Sequence, residues 1–132
     1  LKHKTVLFID DDQDEHLLIQ EAIEGRQDLP AFTYFLSARL ALFELETTRT
    51  MPDLIVVDIN MPVMSGIEFL TEIKKRAPLK HIPVIIHSTT SDAATKKNCE
   101  KLGAAAFLQK ATSFESLLNT IREMLFMNAL SA

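Results

Sequence analysis

The sequence predicts an α/β domain: five parallel strands in one sheet, with helices on both faces. Two observations carry this. Five short runs of β-forming residues alternate with five segments of helical apolar spacing, and the connections between them are short, which is the pattern of successive βα units. The run Leu54-Ile55-Val56-Val57 is apolar without interruption, as suits a central strand buried on both faces.

The elements follow in order. Thr5 to Ile9 reads as the first strand and ends at Asp10-Asp11-Asp12. A helix is expected from about Gln13, with Leu18, Ile19, Ala22 and Ile23 as its stripe and Gly25 as its stop. Residues 32–36 form the second strand, and a second helix covers about 38–46. Pro52 introduces the Leu54-to-Val57 strand, which ends on Asp58. After Gly66 a third helix sets Ile67, Leu70, Ile73 and Ala77 on one side, and Pro78 closes it. Residues 84–87 form the fourth strand, stopping at Ser88. The fourth helix, about 92–102, has only Ala94, Cys99 and Leu102 to bury, and Gly103 ends it. Residues 105–108 make a short fifth strand just before Lys110. The last helix carries Phe114, Leu117, Leu118, Ile121 and Leu125, leaving residues 126–132 as a tail too short for a DNA-binding output domain.

Length and charge bound the function. At 132 residues the chain is read as one domain over 1–132, with its core at about 4–127. A composition 47% hydrophobic and 24% charged is that of an ordinary globular protein. The net charge of −4, with basic residues scattered, speaks against a nucleic-acid surface. Cys99 is the only cysteine, which excludes an internal disulfide and suits a reducing cytoplasm. No apolar segment is long enough to span a bilayer and no signal peptide is evident, so membrane insertion is not expected. His3, His16, His81 and His87 lack zinc-ligand spacing. The chain opens on Leu1 rather than Met, as a trimmed start would.

Parallel strands share one carboxyl-terminal edge, the edge at which open α/β sheets keep their ligand crevices. Asp10 and Asp11, Asp58, Ser88 and Lys110 follow the first, third, fourth and fifth strands and therefore converge there, while the second strand contributes no obvious polar group. Gathered carboxylates repel one another unless a cation relieves them, and an all-oxygen set suits Mg²⁺, which typically takes one or two carboxylates plus a phosphate. Lys110 and Ser88 fit an anion beside that metal, as a mobile positive charge and a hydrogen-bond donor. Asp12 and Asp14 read more plainly as favourable charge at a helix N-terminus.

At this point the chain resembles the response-regulator receiver domain of two-component signalling. The resemblance rests on Asp10-Asp11, Asp58, Asn60-Met61-Pro62, Gly66, Ser88 and Lys110, in that order and over nearly the whole length. It implies a doubly wound, flavodoxin-like (βα)5 fold, a three-layer sandwich with strand order 2-1-3-4-5. It implies that Asp58 accepts a phosphoryl group from a phosphohistidine on a sensor kinase or a histidine phosphotransfer protein. Asp11, Asp58 and the Asn60 backbone carbonyl would bind Mg²⁺ directly, and Asp10 through water. Lys110 and Ser88 would grip the phosphoryl group, and Ser88 and Phe107 would act as the switch pair. The face of the fourth helix, fifth strand and fifth helix would then engage a downstream protein target. Such a module is not an enzyme beyond its own phosphorylation and dephosphorylation, works in the cytoplasm, and is a monomer or a phosphorylation-dependent dimer, either stand-alone or cut from a longer chain.

Two departures stand out. Ala111 replaces the proline expected after the lysine, where a cis bond before a non-proline residue costs about 3–4 kcal/mol, so that loop is either trans or strained. His87 is bulkier and more polar than expected before Ser88, and strand alternation points it away from the Ser88 side. Other functions fit less well. An aspartyl-phosphate phosphotransferase usually has a second Asp where Asn60 stands. A flavin or nucleotide cradle needs a Gly- or Ser/Thr-rich loop where Asp10-Asp11-Asp12 stands. A pseudo-receiver that only binds partners would not need the intact acidic set.

Overall fold

The computed structural model describes residues 3–131, with side chains of the last helix described as far as Phe126. Leu1 and Ala132, the ends of the domain as read from the sequence, lie outside them. The elements in chain order are β1 (Thr5–Ile9), α1 (Gln13–Ile23), β2 (Ala31–Phe35), α2 (Ala38–Thr47), β3 (Leu54–Val57), α3 (Gly66–Lys75), β4 (Val84–Ser88), α4 (Ala93–Lys101), β5 (Ala106–Gln109) and α5 (Phe114–Ser131). All ladders are parallel and the strand order is β2-β1-β3-β4-β5.

Strand alternation divides the interior into two layers. Leu7, Ile9, Ile55, Val57, Val84 and Ile86 face α2, α3 and α4 together with Ala41, Leu45, Phe69, Leu70, Ile73 and Cys99. Val6, Phe8, Leu54, Val56 and Ile85 face α1 and α5, against Ile19, Leu117, Leu118, Ile121 and Leu125. Every residue of β3 is buried, as its unbroken apolar run requires.

The differences from the sequence reading lie at edges and on helix faces. β2 and β5 are each offset by one residue. β2, at one edge of the sheet, starts at Ala31 in register with Thr5, which leaves Leu36 half-exposed outside it. β5, at the other edge, runs to Gln109, which completes the ladder opposite Ser88. In α1 the buried residues are His16 and Ile19, whereas Leu18 is exposed. His16 is held inward by its Nε2–H, which donates to the Asp10 carbonyl at 2.7 Å, and by an edge-on contact with Phe8. α3 ends at Lys75, so Ala77 is exposed beyond it and Phe69 takes a place in the core. Ala94 is exposed, leaving Cys99 as the only fully buried residue of α4. α5 continues to Ser131, through most of what the sequence suggested was a tail.

Candidate functional site

Three residues of the strand-end cluster are each set by a backbone bond to the neighbouring strand. Asp10 N–H donates to the Phe35 carbonyl at 3.1 Å, Asp58 N–H to Ile9 at 3.1 Å, and Lys110 N–H to Ser88 at 2.7 Å. Strand pairing thus carries side chains 48 and 52 residues apart in sequence to one edge. There, Asp10, Asp11 and Asp58 each offer a carboxylate oxygen, and these oxygens lie within 4.8 Å of one another. Asp10 and Asp58 are buried, while Asp11 is exposed at the mouth.

Lys110 reaches in from the end of β5. Its Nζ lies 2.8 Å from Asp10 Oδ2 and 3.3 Å from Asp58 Oδ2. The 2.8 Å contact is an ion pair, and Asp10 Oδ2, buried, has no other polar partner among the described residues. The Lys110–Ala111 peptide is trans, as is every peptide bond among the described residues. The lysine therefore reaches both aspartates without a cis bond at Ala111.

The electrostatics follow from burial and crowding. Burial raises the Asp58 carboxyl above its ordinary range; Lys110 opposes this and Asp10 adds to it. Burial pulls the Lys110 ammonium down, but its bond to Asp10 and the charges of Asp10 and Asp58 outweigh that, and it ends above its usual value. Glu15, half-buried on α1, is also raised, by burial first, with Lys110 opposing. Three carboxylates against one ammonium leave two negative charges unbalanced when all are ionised. That deficit and the all-oxygen donor set fit a hard divalent cation.

The loop behind Asp58 is clamped. Gly66 N–H donates to the Ile59 carbonyl at 2.9 Å. A Cβ on Gly66 would collide with the Asp58 carbonyl oxygen and lie 2.8 Å from its carbon. Only glycine permits the start of α3 to sit this close. Ser65 and Glu68 close a reciprocal capping box at that end. Asn60 is exposed within the loop, and Val63 has φ 69°, the left-handed region.

The other sequence-derived positions are placed as follows. Ser88 is fully buried at the end of β4, and its Oγ accepts from the Thr90 N–H at 3.3 Å. Phe107 is partly buried against the layer that contains Ile86, its partner in register. His87 points to the opposite layer, between Phe8 and Phe114, as alternation requires. Asp12 caps α1 by accepting from Asp14 N–H at 2.9 Å. His16 was missed as a supporting residue, because nothing in its spacing distinguishes a histidine that holds a carbonyl from one in solvent.

The chain matches the family model described as response regulator receiver domain over residues 6–122. A protein-glutamate methylesterase/protein-glutamine glutaminase from Treponema denticola is 39% identical over 123 residues, covering 91% of this chain and 32% of that protein. The chain thus spans about a third of that relative's length. The polar-differentiation response regulator DivK of Brucella ovis is 29% identical over 123 residues, covering 92% of this chain and 96% of that protein. Among solved structures, the receiver domain of the Francisella response regulator 1452 superposes with a TM-score of 0.84 at 27% identity, covering 96% of this chain and 99% of that one. No helix among the described residues is long and apolar enough to cross a membrane.

Proposed function

The chain belongs to the response regulator receiver domains of two-component signalling, and from that premise we propose that it is an active phosphoacceptor with Asp58 as the acceptor. The observation that supports this most directly is the Lys110 ammonium bridging Asp10 and Asp58 beside the three clustered carboxylates. An Asp58 oxygen attacks the phosphorus of a phosphohistidine on a sensor kinase or histidine phosphotransfer protein. The O–P bond forms as the P–N bond breaks, and the electron pair leaves on the imidazole nitrogen. The product is an acyl phosphate on Asp58, and water attack at phosphorus later returns the carboxylate and inorganic phosphate.

Asp11, Asp58 and the Asn60 carbonyl would hold Mg²⁺, with Asp10 acting through water. When bound, the ion supplies charge neutralisation for the phosphoryl oxygens. Burial makes Asp58 more basic, which strengthens it as a nucleophile, while Lys110 favours its ionised form. Lys110 is positioned to move from its carboxylate partners onto a phosphoryl oxygen, so that catalysis is positioning and electrostatics. Ser88 then donates to the phosphoryl group, Phe107 follows it inward, and the α4–β5–α5 face is altered for a downstream protein in the cytoplasm. Taking such a switch from about 1% to 99% active needs roughly 5.5 kcal/mol of differential stabilisation. A phosphoryl group held by a lysine and a hydroxyl is a physical source of it. Beyond its own phosphorylation and dephosphorylation, no separate enzyme activity is assigned.

The test is intact-protein mass after incubation with acetyl phosphate, run with Mg²⁺, with a chelator, and on Asp58→Asn. One added phosphoryl group, with metal and with Asp58 only, is expected. A folded protein that gains none in any arm is instead a pseudo-receiver that acts by binding alone.

A further inference from the structure

Among the described residues, few large apolar side chains are left in solvent, and Leu36, Leu40 and Phe43 stand together on and just before α2. Leu40 is 61% and Phe43 64% exposed, on the side of the helix opposite the buried Ala38, Ala41, Leu42 and Leu45. Thr47 continues the line. Its hydroxyl donates back to the Phe43 and Glu44 carbonyls, so it can sit against an apolar surface without an unsatisfied donor. Leu40, Phe43 and Thr47 are thus spaced as positions a, d and a of a heptad, with Leu36 extending the patch.

The flanking charges say what covers this seam. Arg39 falls at position g and Glu44 at position e. Both are exposed, and neither has an ion-pair partner among the described residues. In a parallel helix pair a g residue meets the e residue five positions on in the other chain, and a two-fold axis makes that contact twice. Arg39 and Glu44 have that spacing. In an antiparallel pair g positions face g positions and e positions face e positions, so Arg39 and Glu44 would not meet. We propose that α2 is a self-association face, on which a second copy of this chain docks with its α2 parallel and Arg39 against Glu44 in both directions.

The seam is short, so the dimer is weak and concentration-dependent. Its two-fold axis runs along α2, so the carboxyl-terminal sheet edges of both copies open the same way. The α4–β5–α5 face, at the other end of the sheet, stays free.

Sedimentation equilibrium of the full chain tests this. Between about 10 µM and 1 mM, the range expected for so small an interface, the mass is expected to rise from 14.9 kDa toward twice that value. Leu40→Glu is expected to stay monomeric with a nearly unchanged thermal midpoint, since Leu40 is mostly exposed and belongs to neither core layer. Arg39→Glu and Glu44→Arg alone should each weaken association about tenfold. An equimolar mixture of those two variants should recover it, because in the mixed dimer each g position again faces an e position of opposite charge. Wild type monomeric throughout would overturn the proposal. So would charge variants that associate as tightly as wild type, or a Leu40→Glu protein that still dimerises.

Discussion

Asp58 owes its position to a residue that carries no side chain. The start of α3 lies against the Asp58 backbone, and a methyl at Gly66 would overlap the Asp58 carbonyl oxygen and come within 2.8 Å of its carbon. Backbone cannot rotate away as a side chain can, so either the strand end or the helix must shift. Gly66→Ala is therefore expected to destabilise the fold by about 2–3 kcal/mol, measured as the urea midpoint. It is also expected to slow acetyl-phosphate labelling of Asp58 in the fraction that remains folded; normal labelling at wild-type stability would contradict the close packing. At this scale the sequence was informative wherever a polar residue ends an apolar run. Asp10, Asp58 and Lys110 could be placed at one edge from strand direction alone. His16 could not, because its buried state depends on the Asp10 carbonyl and on Phe8, partners that only the folded chain supplies.

Between β3 and α3 the chain makes a strained passage. Val63 is β-branched, 79% exposed, and held at φ 69°, a conformation that crowds Cβ against its own backbone. Nothing it packs on offsets that strain. Val63→Gly is expected to stabilise the protein by about 1 kcal/mol despite the added freedom of the unfolded chain, read as a higher thermal midpoint. A lower midpoint would mean that Val63 makes a contact worth more than its strain. Elements differed in how far they could be read. β3 and β4, buried on both faces, lie where their apolar runs place them, apart from Ser88 joining β4. β2 and β5 are edge strands whose limits depend on a single neighbour's register, and each moved by one residue. In the α1 stripe Ile19, Ala22 and Ile23 pack on the core as their spacing predicts, and only Leu18 departs. Leu17 and Leu18 are both exposed, while His16 takes the inward place. Val63 left no signal at all, since backbone strain is not a property of residue type.

Across the whole molecule, the sheet separates a charged edge from an aromatic layer under α1 and α5. Phe8 is the centre of that layer, with ring centroids 5.5 Å from His16, 6.1 Å from Tyr34 and 6.3 Å from His87. His87 also meets Phe114 at 6.1 Å, and its Nδ1 is buried without a partner. Burial first, and Lys110 second, bring its pKa down to about 4, while Asp10 acts the other way. The native protein therefore holds this imidazole neutral where the unfolded chain, with an ordinary value of 6.5, takes up a proton. Stability from this source is intact above pH 6.5 and falls as pH drops toward 4, by up to about 3 kcal/mol in all. Lys110, raised in the fold, contributes a stability that is complete below its unfolded value and so stays level across this window. Asp58, also raised, works against the acid loss, since protonation relieves its burial. His87→Leu keeps both of those groups and removes only the imidazole. In urea unfolding from about pH 7 to 4, a window that spans the folded and unfolded values, with chelator present, wild type is expected to lose stability more steeply than His87→Leu. The two curves should converge on acidification if the leucine costs anything at neutral pH. Curves that stay parallel would mean that the fold opens around His87 and lets it protonate in place.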